Sequence, residues 1–171
     1  MPADASPALT RRAFLTSRAK SEKPAFRPPW SDEPSVATHC TGCSDCITAC
    51  PQGILINDSA GRPQVVLNGG ECTFCAACAT ACAEPVFDLT QPDPWPVHAH
   101  IGGACLLAAG ISCQLCTDLC DATALRMDLA IRPVGAIHVD SQACTGCGAC
   151  LAACPTQAIA LVDARQTGQR T

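Results

Sequence analysis

Apolar residues in this chain come in short runs broken by turn formers, too brief for long helices. "GILI" at 53–56 and "QVVL" at 64–67 read as two strands, with "NDSAGRP" between them as the turn. "ALRM" at 124–127 and "AIHV" at 136–139 repeat the arrangement around a turn region with Arg132-Pro133 and Gly135. The stretch "EPVFDLTQPDPWPVHAH" between the two pairs carries prolines at 85, 92, 94 and 96, which suits an extended connector rather than a packed element. No window approaches the roughly 20 apolar residues of a spanning helix. The best candidate, "CLLAAGI" at 105–111, is far too short.

The strand pairs sit between repeated cysteine runs. "CTGCSDCITAC" spans 40–50, "CTFCAACATAC" 72–82 and "CTGCGACLAAC" 144–154, all reading C-x2-C-x2-C-x3-C. A degenerate copy, "CLLAAGISCQLCTDLC" at 105–120, reads C-x7-C-x2-C-x3-C, so its loop must make an excursion after Cys105. These four runs use all 16 cysteines, a clean partition that a chance scatter would not produce. A short helical turn is expected near the last cysteine of each run.

Composition alone would suit a secreted disulfide scaffold, since cysteine is abundant and the aromatics number only four Phe and two Trp. The N-terminus argues otherwise. "TRRAFL" at 10–15 opens like a twin-arginine export signal, but Arg18, Lys20, Glu22, Lys23 and Arg27 follow where an apolar stretch is required. The chain is therefore read as cytoplasmic, where cysteines serve as metal ligands more than as disulfides. The Arg11-Arg12 pair is either part of a solvated basic tail or part of a binding segment.

Spacing selects iron and sulfur. Three thiolates at i, i+3 and i+6 can curl over three corners of a [4Fe–4S] cube, and in the bacterial C-x2-C-x2-C-x3-C-P run the fourth cysteine ligates the other cluster. Cys50-Pro51 and Cys154-Pro155 complete that run. Structural zinc takes two C-x2-C knuckles, to which a third cysteine is surplus. Four clusters are expected. Cys40, Cys43 and Cys46 would share one with Cys82, and Cys72, Cys75 and Cys78 one with Cys50. Cys105, Cys113 and Cys116 would join Cys154, and Cys144, Cys147 and Cys150 would join Cys120. A nested alternative pairs the first run with the fourth and the second with the third.

The fold class expected is α+β: two tandem bacterial-ferredoxin-like two-cluster units behind a flexible N-terminal tail. The boundaries are a basic, Pro-rich tail over 1–35, units over 36–90 and 101–165, a Pro-rich connector over 91–100 and a C-terminal tail over 166–171. Each oxidised cube with its thiolates adds about −2, taking the formal −4 to about −12. A nucleic-acid partner is not expected. The sequence holds no phosphate loop, nucleophile–base pair or dinucleotide fingerprint, so the protein is not expected to be an enzyme. His39, His98 and His100 read as surface residues, and Trp30 and Trp95 as residues that pack a segment onto a domain.

The start "TRRAFLTSR", the "RPPW" at 27–30 followed by "THCTGCSDC", and the irregular third run opening with "IGGACL" together resemble the NapF family of ferredoxin-type proteins of periplasmic nitrate reductase systems. Ala83 departs from the proline usual after the second run. The resemblance implies a cytoplasmic iron–sulfur protein that binds the nitrate reductase catalytic subunit, NapA, before export and aids its maturation. A plain electron carrier and a redox-sensing interaction protein need the same cysteines and stay open. The tail is expected to bind the partner, because residues 1–30 carry six of the 11 Lys and Arg residues and no cysteine. Phe14, Leu15 and Trp30 are its expected anchors.

Overall fold

The computed structural model describes residues 26–67 and 69–164. Arg11, Arg12, Phe14, Leu15 and the C-terminal tail lie outside these residues. Short helices follow three of the cysteine loops directly: α2 (Asp45–Thr48), α3 (Ala77–Thr80) and α5 (Ala149–Ala153). The irregular third run carries a 3-10 turn (Leu106–Ala109) and then α4 (Leu115–Asp118). Helix α1 (Glu33–His39) precedes the first loop.

The two expected hairpins form. Strand β1 (Leu55–Asn57) pairs antiparallel with β2 (Pro63–Val65), Leu55 opposite Val65. Asp58 makes the turn by accepting hydrogen bonds from the N–H groups of Ala60 (2.8 Å) and Arg62 (2.9 Å). Strand β4 (Leu125–Asp128) pairs with β5 (Ala136–Val139), and Asp128 again accepts from the N–H two residues on, that of Ala130. Turn chemistry thus sets both registers, and each places one leucine, Leu55 or Leu125, in the core.

The stretch 91–100 is not merely a connector. Strand β3 (Val97–Ile101) pairs antiparallel with β6 (Ile159–Asp163), Val97 opposite Asp163 and Ile101 opposite Ile159. Trp95, Val97 and Ala99 are buried at the centre of the core. The prolines permit this because they end at Pro96, one residue before the strand, and the Pro96 carbonyl still accepts from the Ala164 N–H at 2.8 Å. That core joins residues of both units, Ile54, Leu55 and Leu67 with Val97, Leu125 and Leu161. The two units share one apolar interior.

The tail boundary at residue 35 also moves. Phe26 bridges Val65, and the Arg27 guanidinium lies 2.9 Å from Asp58 and donates 2.9 Å to the Pro63 carbonyl. Its hydrogen bond to Glu33 holds the Glu33 carboxyl below its ordinary value. Pro28 is fully buried and the Trp30 N–H donates to the Pro94 carbonyl at 2.6 Å. Helix α1 then starts on Asp32, whose side chain accepts from the Ser35 N–H at 2.7 Å, with Pro34 in the first turn where a missing N–H costs nothing. Val36 on α1 is wholly buried, and the Ser35 hydroxyl donates to the Val86 carbonyl. Residues 26–35 are therefore part of the packed body, and Trp30 is spent on an edge-to-face contact with Phe74 at 6.2 Å. Phe74 and Phe26 each meet Trp95 in the same way.

Candidate metal centres

Four pockets of nearly equal size, three of about 360 Å³ and one of about 320 Å³ counting the space open to solvent, each contain four cysteines. Cys40, Cys43, Cys46 and Cys82 line the first, and Cys50, Cys72, Cys75 and Cys78 the second. Cys105, Cys113, Cys116 and Cys154 line the third, and Cys120, Cys144, Cys147 and Cys150 the fourth. Each pocket takes three thiols from one loop and the fourth from the other run of the same unit. The nested pairing of first with fourth and second with third is not the one built. Cys105 reaches its pocket because the 3-10 turn folds the long spacer back on itself, with the Ile111 N–H donating to the Leu106 carbonyl at 2.9 Å.

The three regular loops share a backbone. Gly42 and Ser44, Phe74 and Ala76, and Gly146 and Gly148 all have left-handed φ, between 53° and 92°. Loops that alternate handedness gather successive N–H groups into anion-binding concavities, iron–sulfur sites among them. The third loop lacks this alternation, since Gln114 at the position of Ser44 has φ −131°.

Burial makes the thiols hard to ionise without a cation. It pushes Cys78 and Cys150 up to about 12, and Cys46 and Cys72 up to about 11, with neighbouring thiols of the same ring adding to the rise. Cys154 runs the other way. Burial would raise it, but the Thr156 hydroxyl, 3.6 Å from Sγ, and the Ala158 N–H, donating at 3.3 Å, bring it below its ordinary value. The Ala99 N–H donates to Cys144 Sγ at 3.4 Å. Sequence reasoning passed over Ala99 and Ala158, whose backbone donors depend on β3 and β6. The alternation of "VHAHI" at 97–101 was the available signal.

The donor set fits a cube. All sixteen thiols are free. Among the described residues no three His, Cys, Asp or Glu side chains converge tightly enough for a single metal ion. A ring of four thiolates around a pocket instead suits a group of atoms with four cationic corners, and ligation by a metal would deprotonate the thiols outright. His39 is exposed and His98 half-buried, and neither lines any of the four thiol pockets. Among the described residues no helix is long and apolar enough to cross a membrane.

Comparison with known proteins defines the class. Residues 39–86 and 111–158 each match the 4Fe–4S dicluster domain family. This is an iron–sulfur protein built from two dicluster repeats. The second match begins after Cys105, so the geometry of the pocket, not the family pattern, brings Cys105 to its ring.

The chain is 41% identical to the ferredoxin-type protein NapF of Haemophilus influenzae over 92% of its length and 96% of that protein. It is 41% identical to NapF of Escherichia coli K12, over 88% and 92%. It is 30% identical to the methylamine utilization ferredoxin-type protein MauM of Methylorubrum extorquens, over 83% and 73%. The chain belongs to the NapF family of ferredoxin-type proteins.

Proposed function

We propose that each ring of four thiols holds one [4Fe–4S] cluster, four per chain, and that the protein is a cytoplasmic accessory factor rather than an enzyme. The observation that carries the cluster assignment is the four pockets of similar size, each with one complete quartet. When bound, such clusters supply one-electron transfer. The chain's own part is to hold four thiolates around each pocket, to present backbone N–H groups from the left-handed loops, and to donate to Cys144 and Cys154 from Ala99, Thr156 and Ala158.

The partner proposed is the catalytic subunit of periplasmic nitrate reductase, NapA, bound before export so that its maturation is assisted. The likeness to NapF proteins over about nine-tenths of the chain supports this choice. Anaerobic reconstitution should give about sixteen irons per chain. A value near twelve that is unchanged in Cys105→Ala would remove the third ring from the set. Capture of the NapA precursor from anaerobic extract tests the partner, with a chain lacking residues 1–25 as comparison. Loss of capture with iron retained assigns binding to that segment. Equal capture assigns it to the packed body. No capture by either chain overturns the partner and favours a diffusing electron carrier.

A further inference from the structure

The two units meet loop to loop. The Cys72 N–H, from the second loop, donates to the Cys147 carbonyl of the fourth at 2.8 Å. Phe74 of the second loop lines one groove together with Cys144 and Thr145 of the fourth. The packing leaves no room for a side chain at two positions of the fourth loop, Gly148 against the first unit and Gly146 against β3. A Cβ on Gly148 would lie 2.4 Å from a Leu67 methyl, and one on Gly146 2.4 Å from a Val97 methyl and 2.6 Å from the Val97 carbonyl.

Within each unit the two rings are neighbours as well. Helix α2 of the first loop packs on α3 of the second, and α4 of the third on α5 of the fourth.

We infer that the four rings form a single row in the order first, second, fourth, third, and that the contact between the second and fourth loops makes the two units one electron-conducting body. The row rests on the cluster assignment above. Its two ends are the first and third rings, so an electron given by an external one-electron donor at one end and taken by an external one-electron acceptor at the other crosses all four sites. Each transfer oxidises one site by one electron and reduces its neighbour by one, with no atom moved. The third run is thereby an end rather than a branch, and its departure from the regular loop falls at a terminus of the row.

Removing an end site tests this. Cys40→Ala with Cys43→Ala should empty the first ring, and Cys105→Ala with Cys113→Ala the third. Each lowers iron from about sixteen to about twelve. In the first double variant the second site has lost its only neighbour within its unit, and in the other the fourth site has. Electron paramagnetic resonance of the fully reduced protein should show that site still spin-coupled, because its partner across the unit boundary remains. A simple uncoupled signal of one spin per molecule would overturn the row. The two variants act in different units, so either one decides if the other does not accumulate. Absence of clusters from the native protein would instead defeat the assignment on which the row depends.

Discussion

At the third and fifth positions of the second cysteine loop stand Phe74 and Ala76; at the same positions of the fourth stand Gly146 and Gly148. The backbone is the same in kind, left-handed at all four residues, with φ of 53° and 58° in one loop and 73° and 92° in the other. In the fourth loop glycine is compulsory twice over, for conformation and for the absence of room beside Val97 and Leu67. In the second loop the same conformation is imposed on residues that resist it, at about 1–2 kcal/mol each. Phe74 offsets part of that cost through its ring contacts with Trp30 and Trp95. The loop shape is thus common property of the runs, while the neighbour that packs on each loop decides which residues it contains.

The largest effect expected on this comparison comes from removing the metal. Both loops then lose the group around which they curl, and the shared backbone has no reason to persist. Anaerobic circular dichroism after chelation should show loss of most secondary structure, because metal-binding free energy is folding free energy in such domains. Native-like spectra from the metal-free chain would show that the loops are shaped by packing alone.

Next comes Gly146→Ala. Its Cβ meets a backbone carbonyl that cannot swing aside, so overpacking and left-handed strain together should cost about 3 kcal/mol in anaerobic thermal unfolding. Gly42→Ala is the control in the first loop, where the nearest atom is the Gly61 carbonyl at 3.3 Å, and about 1–2 kcal/mol is expected. Equal losses at the two positions would mean that crowding against β3 contributes nothing.

Phe74→Ala keeps the left-handed residue and deletes the ring. About 2 kcal/mol should be lost from a half-buried aromatic with two edge contacts. The smallest change should be Ala76→Gly, a gain of up to about 1 kcal/mol as strain is relieved against glycine's greater freedom in the unfolded chain. A loss there would show that the Ala76 methyl group packs against something that outweighs its backbone strain.

The three-cysteine groups were legible because their spacing puts three thiols on one loop, and the run that ends in Cys-Pro implies that the fourth serves another site, but which runs pair stayed open in the sequence. The hairpins were legible from their turn formers, although the first pair lies one or two residues from where the apolar runs place it. What escaped was the role of proline-rich segments. Pro92, Pro94 and Pro96 disguise β3, yet they stop before Val97, and Pro34 disguises α1 by sitting in its first turn. Proline here marks where elements begin rather than where the chain is unpacked. The shared core was hidden for a related reason: Trp95 and Val97 reach it from a segment that looked like a spacer between two separate interiors.

The pairing of β3 with β6 bears on how the protein is made. The first and second quartets are complete once Cys82 has been synthesised, while the fourth waits for Cys150 and the third for Cys154. Strand β3 has no partner until residues 159–163 follow. A nascent chain therefore offers its first two rings while most of the second unit is still inside the ribosome or not yet made. It then holds Val97–Ile101, a strand whose Val97 and Ala99 are buried in the finished fold, unpaired until nearly the last residue described.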